Sequence, residues 1–132
     1  MNIVFDTEAL LAFYLGESRG REVEKYLTKV MEGELKGYLN ILTMSELYYI
    51  LYRNSPTLAE EKEQNLRSYG LEIVPIDDNS LWKEAAKMKG KHALSLADAF
   101  AAATAKIKKA SLLTGRDKEF HSLDIRIERI EE

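Results

Sequence analysis

Four acidic residues stand where apolar, strand-like stretches give way to helix-like ones: Asp6, Glu46, Asp98 and Asp117. Asp6 directly follows Ile3-Val4-Phe5. Glu46 comes just after the short apolar run Tyr38–Leu42. Asp98 lies in the first turn of an alanine-rich stretch, and Asp117 follows Ser111–Thr114. In a parallel sheet such junctions gather at the carboxyl ends of the strands, where α/β proteins place their ligands. Carboxylates crowded there repel one another, and a divalent cation removes that cost. Carboxylate and water oxygens suit Mg²⁺ or Mn²⁺. The chain has no cysteine and two histidines, both away from the acid junctions, so a thiolate or histidine zinc site does not fit. One or two such ions would support phosphodiester hydrolysis, lowering the pKa of a water and stabilising the leaving oxygen. The hydroxyls of Thr7, Ser95 and Thr114 are placed to orient a carboxylate or a water, as is that of Ser45.

Each acid also has a purely structural explanation. Thr43-x-x-Glu46 and Ser95-x-x-Asp98 have capping-box spacing. Asp117 can cap the turn before Phe120, and Asp6 can start a helix. Asp98 departs from this pattern most, because it stands between Ala97 and Ala99 on a nearly all-apolar helix. A lone carboxylate is expensive to bury. His92 and His121 read as solvated loop histidines, and Asp124 as a turn residue.

The elements that would position these acids follow from periodicity. Strands are expected at Ile3–Phe5, Tyr38–Leu42, Glu72–Ile76 and Ser111–Thr114, with an edge strand over Ile125–Ile130. Helices are expected over Thr7–Leu15 and, behind a Ser18 cap, over Arg19–Glu32, with Val23, Leu27, Val30 and Met31 on one stripe. A third starts at Thr43. A fourth follows Ser55-Pro56 and ends near Tyr69-Gly70. A fifth is capped by Asp77 or Asp78 and ends around Gly90. The sixth opens at Ser95, and its small side chains suit a place deep in the core. Strands alternating with helices predict an α/β fold, with helices on both faces of a mostly parallel sheet.

With 132 residues, 45% hydrophobic and 31% charged, the chain suits one domain over residues 1–132. It has no run long and apolar enough for a membrane span, nor a leader pattern, and a cytoplasmic protein is expected. The net charge is −3, yet the balance is uneven. Lys83–His92 carries +3, Lys106–Lys118 carries +4, and Pro56–Asp78 carries −4. Basic segments sharing one face can steer a polyanion. Tyr48, Tyr49 and Tyr52 suit packing against a neighbouring helix or a partner chain.

Ile3-Val4-Phe5-Asp6-Thr7, Thr43-Met44-Ser45-Glu46-Leu47, Leu94-Ser95-Leu96-Ala97-Asp98-Ala99 and Leu113-Thr114-Gly115-Arg116-Asp117 resemble, in order and spacing, the PIN-domain family. They are most similar to its small stand-alone members, the VapC-type toxins. The resemblance spans essentially the whole chain. It implies a three-layer α/β/α sandwich and an Mg²⁺- or Mn²⁺-dependent endoribonuclease, the toxin of a toxin–antitoxin pair. By match, Asp6, Glu46 and Asp98 would form the acidic triad, Asp117 would be the fourth acid, and Thr114 the hydroxyl near the metal site. A homodimer held inactive by a small antitoxin is implied as well. The pI of about 5.5 favours a selective RNA docked on a local basic patch. Lys87, Lys89, Lys91 and His92, with Arg116 and Lys118, are the candidates for RNA contact.

Two other readings compete. A haloacid-dehalogenase-type phosphatase needs a second acid two residues after its nucleophilic aspartate, and Asp6 is followed by Thr7 and Glu8. A non-catalytic PIN-like binding or regulatory protein would keep the acids as caps and bind no Mn²⁺.

Overall fold

Ile3, Val4 and Phe5 are apolar on both sides because β1 (Asn2–Phe5) is the middle strand of a five-stranded sheet. The computed structural model describes residues 1–115, 120 and 123–130. After β1 come α1 (Thr7–Tyr14), α2 (Gly20–Met31), β2 (Lys36–Asn40), α3 (Ile41–Asn54) and α4 (Pro56–Ser68). Then follow β3 (Glu72–Val74), α5 (Asn79–Lys91), α6 (Leu96–Ile107), β4 (Ser111–Thr114) and β5 (Ile127–Arg129). The strand order is β3-β2-β1-β4-β5, and every pairing is parallel. β1 lies in register with β2 at Ile3 and Gly37 and with β4 at Ile3 and Ser111.

Successive strand residues face opposite sides. Ile3 and Phe5 therefore point into one core and Val4 into the other. The first core joins them to Leu39 and Leu113 and to Leu10, Leu27, Leu47 and Leu66 of α1–α4. The second joins Val4, Tyr38 and Leu112 to Leu81 and Ala85 of α5 and to Phe100 and Ala102 of α6. The result is the expected α/β/α sandwich. Ala99, Ala101, Ala102, Ala103 and Ala105 are all buried, so the small-residue helix sits in the core as its composition requires.

Caps were legible in part. Ser55, Asp78 and Ser95 each accept the expected backbone N–H at the start of α4, α5 and α6. Gly33 and Gly70 follow the ends of α2 and α4 with φ of +82° and +87°, the left-handed turn that glycine adopts at least cost. Ser18 does not cap α2; Arg19 holds that position and makes no side-chain cap. Val23, Leu27 and Val30 face the core as expected, but Met31, the last residue of α2, is exposed. β2 starts and stops two residues earlier than expected, and α3 begins at Ile41 rather than Thr43. Asn40 is the reason. Its Oδ1 accepts the Leu42 N–H at 2.9 Å and so ends the strand and starts the helix. Its amide donates to Thr104 Oγ1 at 3.0 Å, tying that junction to α6. The two outer strands, β3 and β5, are three residues each, shorter than periodicity suggested. No described helix is long and apolar enough to cross a membrane.

Candidate metal centre

Asp6 is the first residue past the central strand and is only 2% exposed. Its backbone N–H donates to Leu113 O at 3.1 Å, which extends the β1–β4 ladder by one bond. Its carboxylate caps α1, with Oδ1 accepting the Ala9 N–H at 2.8 Å. Oδ2 accepts from the Thr114 hydroxyl at the end of β4. Both the capping and the functional reading of Asp6 thus apply to the same group. Burial pushes this carboxyl from 3.8 up to about 7; the Thr114 and Ala9 hydrogen bonds oppose the rise, while nearby Glu8 and Asp98 add to it. Burial and the nearby carboxylates of Glu8 and Asp98 both disfavour a bare negative charge on Asp6, and carboxylate oxygens are donors of the kind a hard divalent cation takes.

Asp98 sits in the first turn of α6, its backbone N–H donating to Ser95 Oγ at 3.1 Å. It is half-buried. The half of the capping box that involves Ser95 is present, and the helix carries the acid to the same end of the sheet as Asp6. Glu46 is placed differently from expectation. With Asn40 as cap, Thr43 is an interior, buried residue and Glu46 falls in the second turn of α3, so the Thr43–Glu46 capping box does not form. α3 nonetheless packs against both α1 and α6, the helices that carry the neighbouring acids. Among the described residues, no group of three or more His, Cys, Asp or Glu is gathered closely enough to hold a metal ion. Asp117, the fourth acid, lies outside the described residues, as do Arg116 and Lys118. Thr7 is buried beside Asp6.

Periodicity and motif spacing missed three groups at this end. Glu8 on α1 pairs with Arg19, Oε1 to Nη1 at 3.3 Å, and Arg19 Nε also meets Glu17 Oε1 at 3.2 Å. Both press on Gly115, the residue after β4. Arg129 of β5 donates from Nη1 to Gly115 O at 3.1 Å. The one sequence signal was the glycine at the exit of a buried strand.

The basic candidates on α5 are arranged unevenly. Lys87, Lys89 and Lys91 are all exposed, and Lys89 Nζ donates to Leu94 O at 2.8 Å and braces the loop into α6. His92 is the C-cap of α5 and half-buried. On α3, Tyr48 and Tyr52 stack with ring centroids 6.1 Å apart, and Tyr48 donates to Glu60 at 2.7 Å. Tyr49 and Tyr52 are 45% and 52% exposed, so this face covers α4 only in part.

A parallel β3-β2-β1-β4-β5 sheet between two helical layers, with a buried aspartate at the carboxyl end of its middle strand, defines the class. The sequence matches the family model for the PIN domain over residues 3–126, and the chain belongs to that family. Comparison with curated proteins gave no match. Among solved structures, a chain of VapBC2 from Rickettsia felis, bound to a DNA fragment from their promoter, is similar. It has 15% identity, 99% of this chain and 100% of that chain covered, and a TM-score of 0.76. A chain of DNA-bound VapBC from Salmonella typhimurium gives 18%, 98% of each chain and 0.75. A chain of FitAcB from Neisseria gonorrhoeae gives 22%, 95% of each and 0.74.

Proposed function

We propose that this protein is a metal-dependent endoribonuclease, a single PIN unit acting as the toxin of a toxin–antitoxin pair. The observation that carries the reading is Asp6: a buried carboxylate at the end of the central strand, pushed up to about 7 by burial and facing Asp98. Asp6, Glu46, Asp98 and Asp117 are the residues that would hold one or two Mg²⁺ or Mn²⁺ ions. When bound, the metal supplies Lewis acidity toward water and the scissile phosphate. The chain's own contribution is positional. Thr114 fixes one Asp6 oxygen and the start of α1 fixes the other, so the carboxylate is held in one orientation. Ser95 anchors the turn that bears Asp98. Lys87 and Lys91, at the end of α5 that leads into α6, would contact the RNA backbone, joined by Lys89, His92, Arg116 and Lys118. In-line attack of water would leave a 5′-phosphate and a 3′-hydroxyl.

The structures similar in fold are chains of VapBC and FitAcB assemblies, and one is described as a toxin–antitoxin complex from Klebsiella pneumoniae. On that likeness, the protein would work in the cytoplasm as a homodimer bound by a small antitoxin. The exposed Tyr49 and Tyr52 on α3 suit such a contact.

The test is a cleavage time course on structured RNAs with Mn²⁺, Mg²⁺ or chelator, beside Asp98→Asn. Asn keeps the size of the side chain and the first-turn position, so the variant should fold. Metal-dependent cleavage that disappears in the variant is the expected outcome. Equal cleavage by folded D98N overturns the assignment. A second reading, a non-catalytic PIN-like binding protein, draws on the absence of a three-acid group among the described residues. It predicts no Mn²⁺ binding by calorimetry, whereas the nuclease reading predicts binding that Asp6→Asn abolishes.

A further inference from the structure

Trp82 is large, apolar and 41% exposed, and it belongs to neither core. Leu81 beside it faces the second core instead. The indole is nevertheless held in place. Its Nε1–H donates to Asn79 Oδ1 at 3.0 Å, one turn earlier on α5. Lys83 Nζ lies over the ring, 5.6 Å from its centroid. From there Lys83, Lys87 and Lys91 form an i, i+4, i+8 row, and all three are exposed. Neighbours in such a row lie side by side on the helix surface, about 6 Å apart along its axis. Among the described residues, none of the three is in an ion pair. Glu84, the one acid within α5, is taken up by Lys106, Oε1 to Nζ at 2.7 Å. At the other end Asp77 and Asp78 precede the helix, so the positive row has a direction. It runs from Trp82 toward the turn that leads into α6.

We propose that this row is a track for single-stranded RNA, with Trp82 as the platform on which one unpaired base stacks. The inference rests on the RNA substrate proposed above, deepens it, and uses none of the acids. Its physical basis is complementarity in charge and in shape. Regularly spaced ammonium groups meet the regularly spaced phosphates of a nucleic-acid strand. A partly exposed indole whose N–H is already satisfied offers its π-face, which any base can use. An exposed ammonium holds a ring more weakly than a stacked base does. A base therefore displaces Lys83 from the ring and leaves its charge beside a phosphate of the same strand. A duplex keeps its bases stacked inside and cannot do this, so the platform selects unpaired RNA.

Trp82 is the only tryptophan of the chain, so tryptophan emission reports on this one place. A short single-stranded oligoadenylate is titrated into the protein with chelator at low salt, with emission and the anisotropy of a dye-labelled strand read together. The expected result is saturable quenching whose Kd matches that from anisotropy. Trp82→Ala should weaken binding by about tenfold, the scale of losing one stacked base, and leave its salt dependence as it was. Trp82→Phe, which keeps a ring, should recover much of the affinity. Lys83→Gln, Lys87→Gln and Lys91→Gln together should do the converse, lowering the slope of log affinity against log salt by about 2. A fully paired RNA duplex should bind with little quenching. Circular dichroism confirms that each variant is folded. Binding of oligoadenylate without a change in emission, equally tight binding by folded W82A, or equal quenching by the duplex overturns the inference and leaves the ribonuclease reading standing. Binding of duplex without binding of the single strand does the same. No binding of either RNA overturns the inference and removes the RNA substrate from the ribonuclease reading as well.

Discussion

At the scale of the residue, Asp6 sets the terms. Its folded-state pKa of about 7 exceeds the ordinary 3.8, so the folded protein holds this proton more tightly than the unfolded chain does. Stability from this group is therefore lost as pH rises from about 4 to about 7 and stays level above that. The shift corresponds to at most about 4 kcal/mol. Asp6→Asn, which removes the charge but keeps an oxygen for the Ala9 N–H, should raise the metal-free melting temperature at pH 8 and change it little at pH 4. A variant less stable than wild type at pH 8 would show that burial does not tax this carboxylate. Thr114→Val removes a donor to the buried Oδ2 and should cost about 1–3 kcal/mol in urea titrations above pH 7. Because that hydrogen bond lowers the Asp6 pKa, its loss should also move the pH transition upward, and Thr114→Ser should restore both.

At the scale of the element, the junction between β2 and α3 shows what a linear reading captures. The strand, the helix and their order were legible from apolar runs and period, and Ser55, Asp78 and Ser95 were legible as caps because a cap is a local event. Asn40 falls inside the strand expected over Tyr38–Leu42. It is both the end of β2 and the cap of α3, and it is buried because its amide meets Thr104, 64 residues away. No local window contains that partner. The misplacement then propagated, giving Glu46 a first-turn position that the helix assigns to other residues. Glu8, Arg19 and Gly115 were missed for the same reason: each is ordinary alone, and only their convergence is informative. Asn40→Ala removes a helix cap and a buried amide donor together and should cost about 1–3 kcal/mol by urea unfolding. An effect within a few tenths of a kcal/mol would mean that neither bond matters. On α6, Ala102→Leu has no room between the helix and the sheet and should destabilise by about 1–3 kcal/mol.

At the scale of the whole molecule, charge is sorted rather than merely summed. The chain carries −3 overall, with its candidate chemistry among acids and exposed lysines at the adjacent end of α5. On the proposed reading a polyanion would approach through those lysines, so the paired change Lys87→Glu and Lys91→Glu should weaken RNA binding by about tenfold at low salt and flatten its salt dependence. Mn²⁺ affinity should not fall, because the charge reversal adds negative charge on the side of the acids. RNA binding unchanged by the double variant would place the docking surface elsewhere.

The position of β1 has a consequence for the making of the protein. The central strand leaves the ribosome before the four other strands of its sheet, yet β4, which flanks it, begins at Ser111. The Thr114 hydroxyl that holds Asp6 lies 108 residues further along the chain. Pairings of such long sequence separation form late. Until β4 has emerged, Asp6 has neither its hydroxyl partner nor its completed sheet. Whatever chemistry belongs to this carboxylate is therefore withheld from a chain that has not yet reached β4, so that the order of synthesis itself acts as a safeguard.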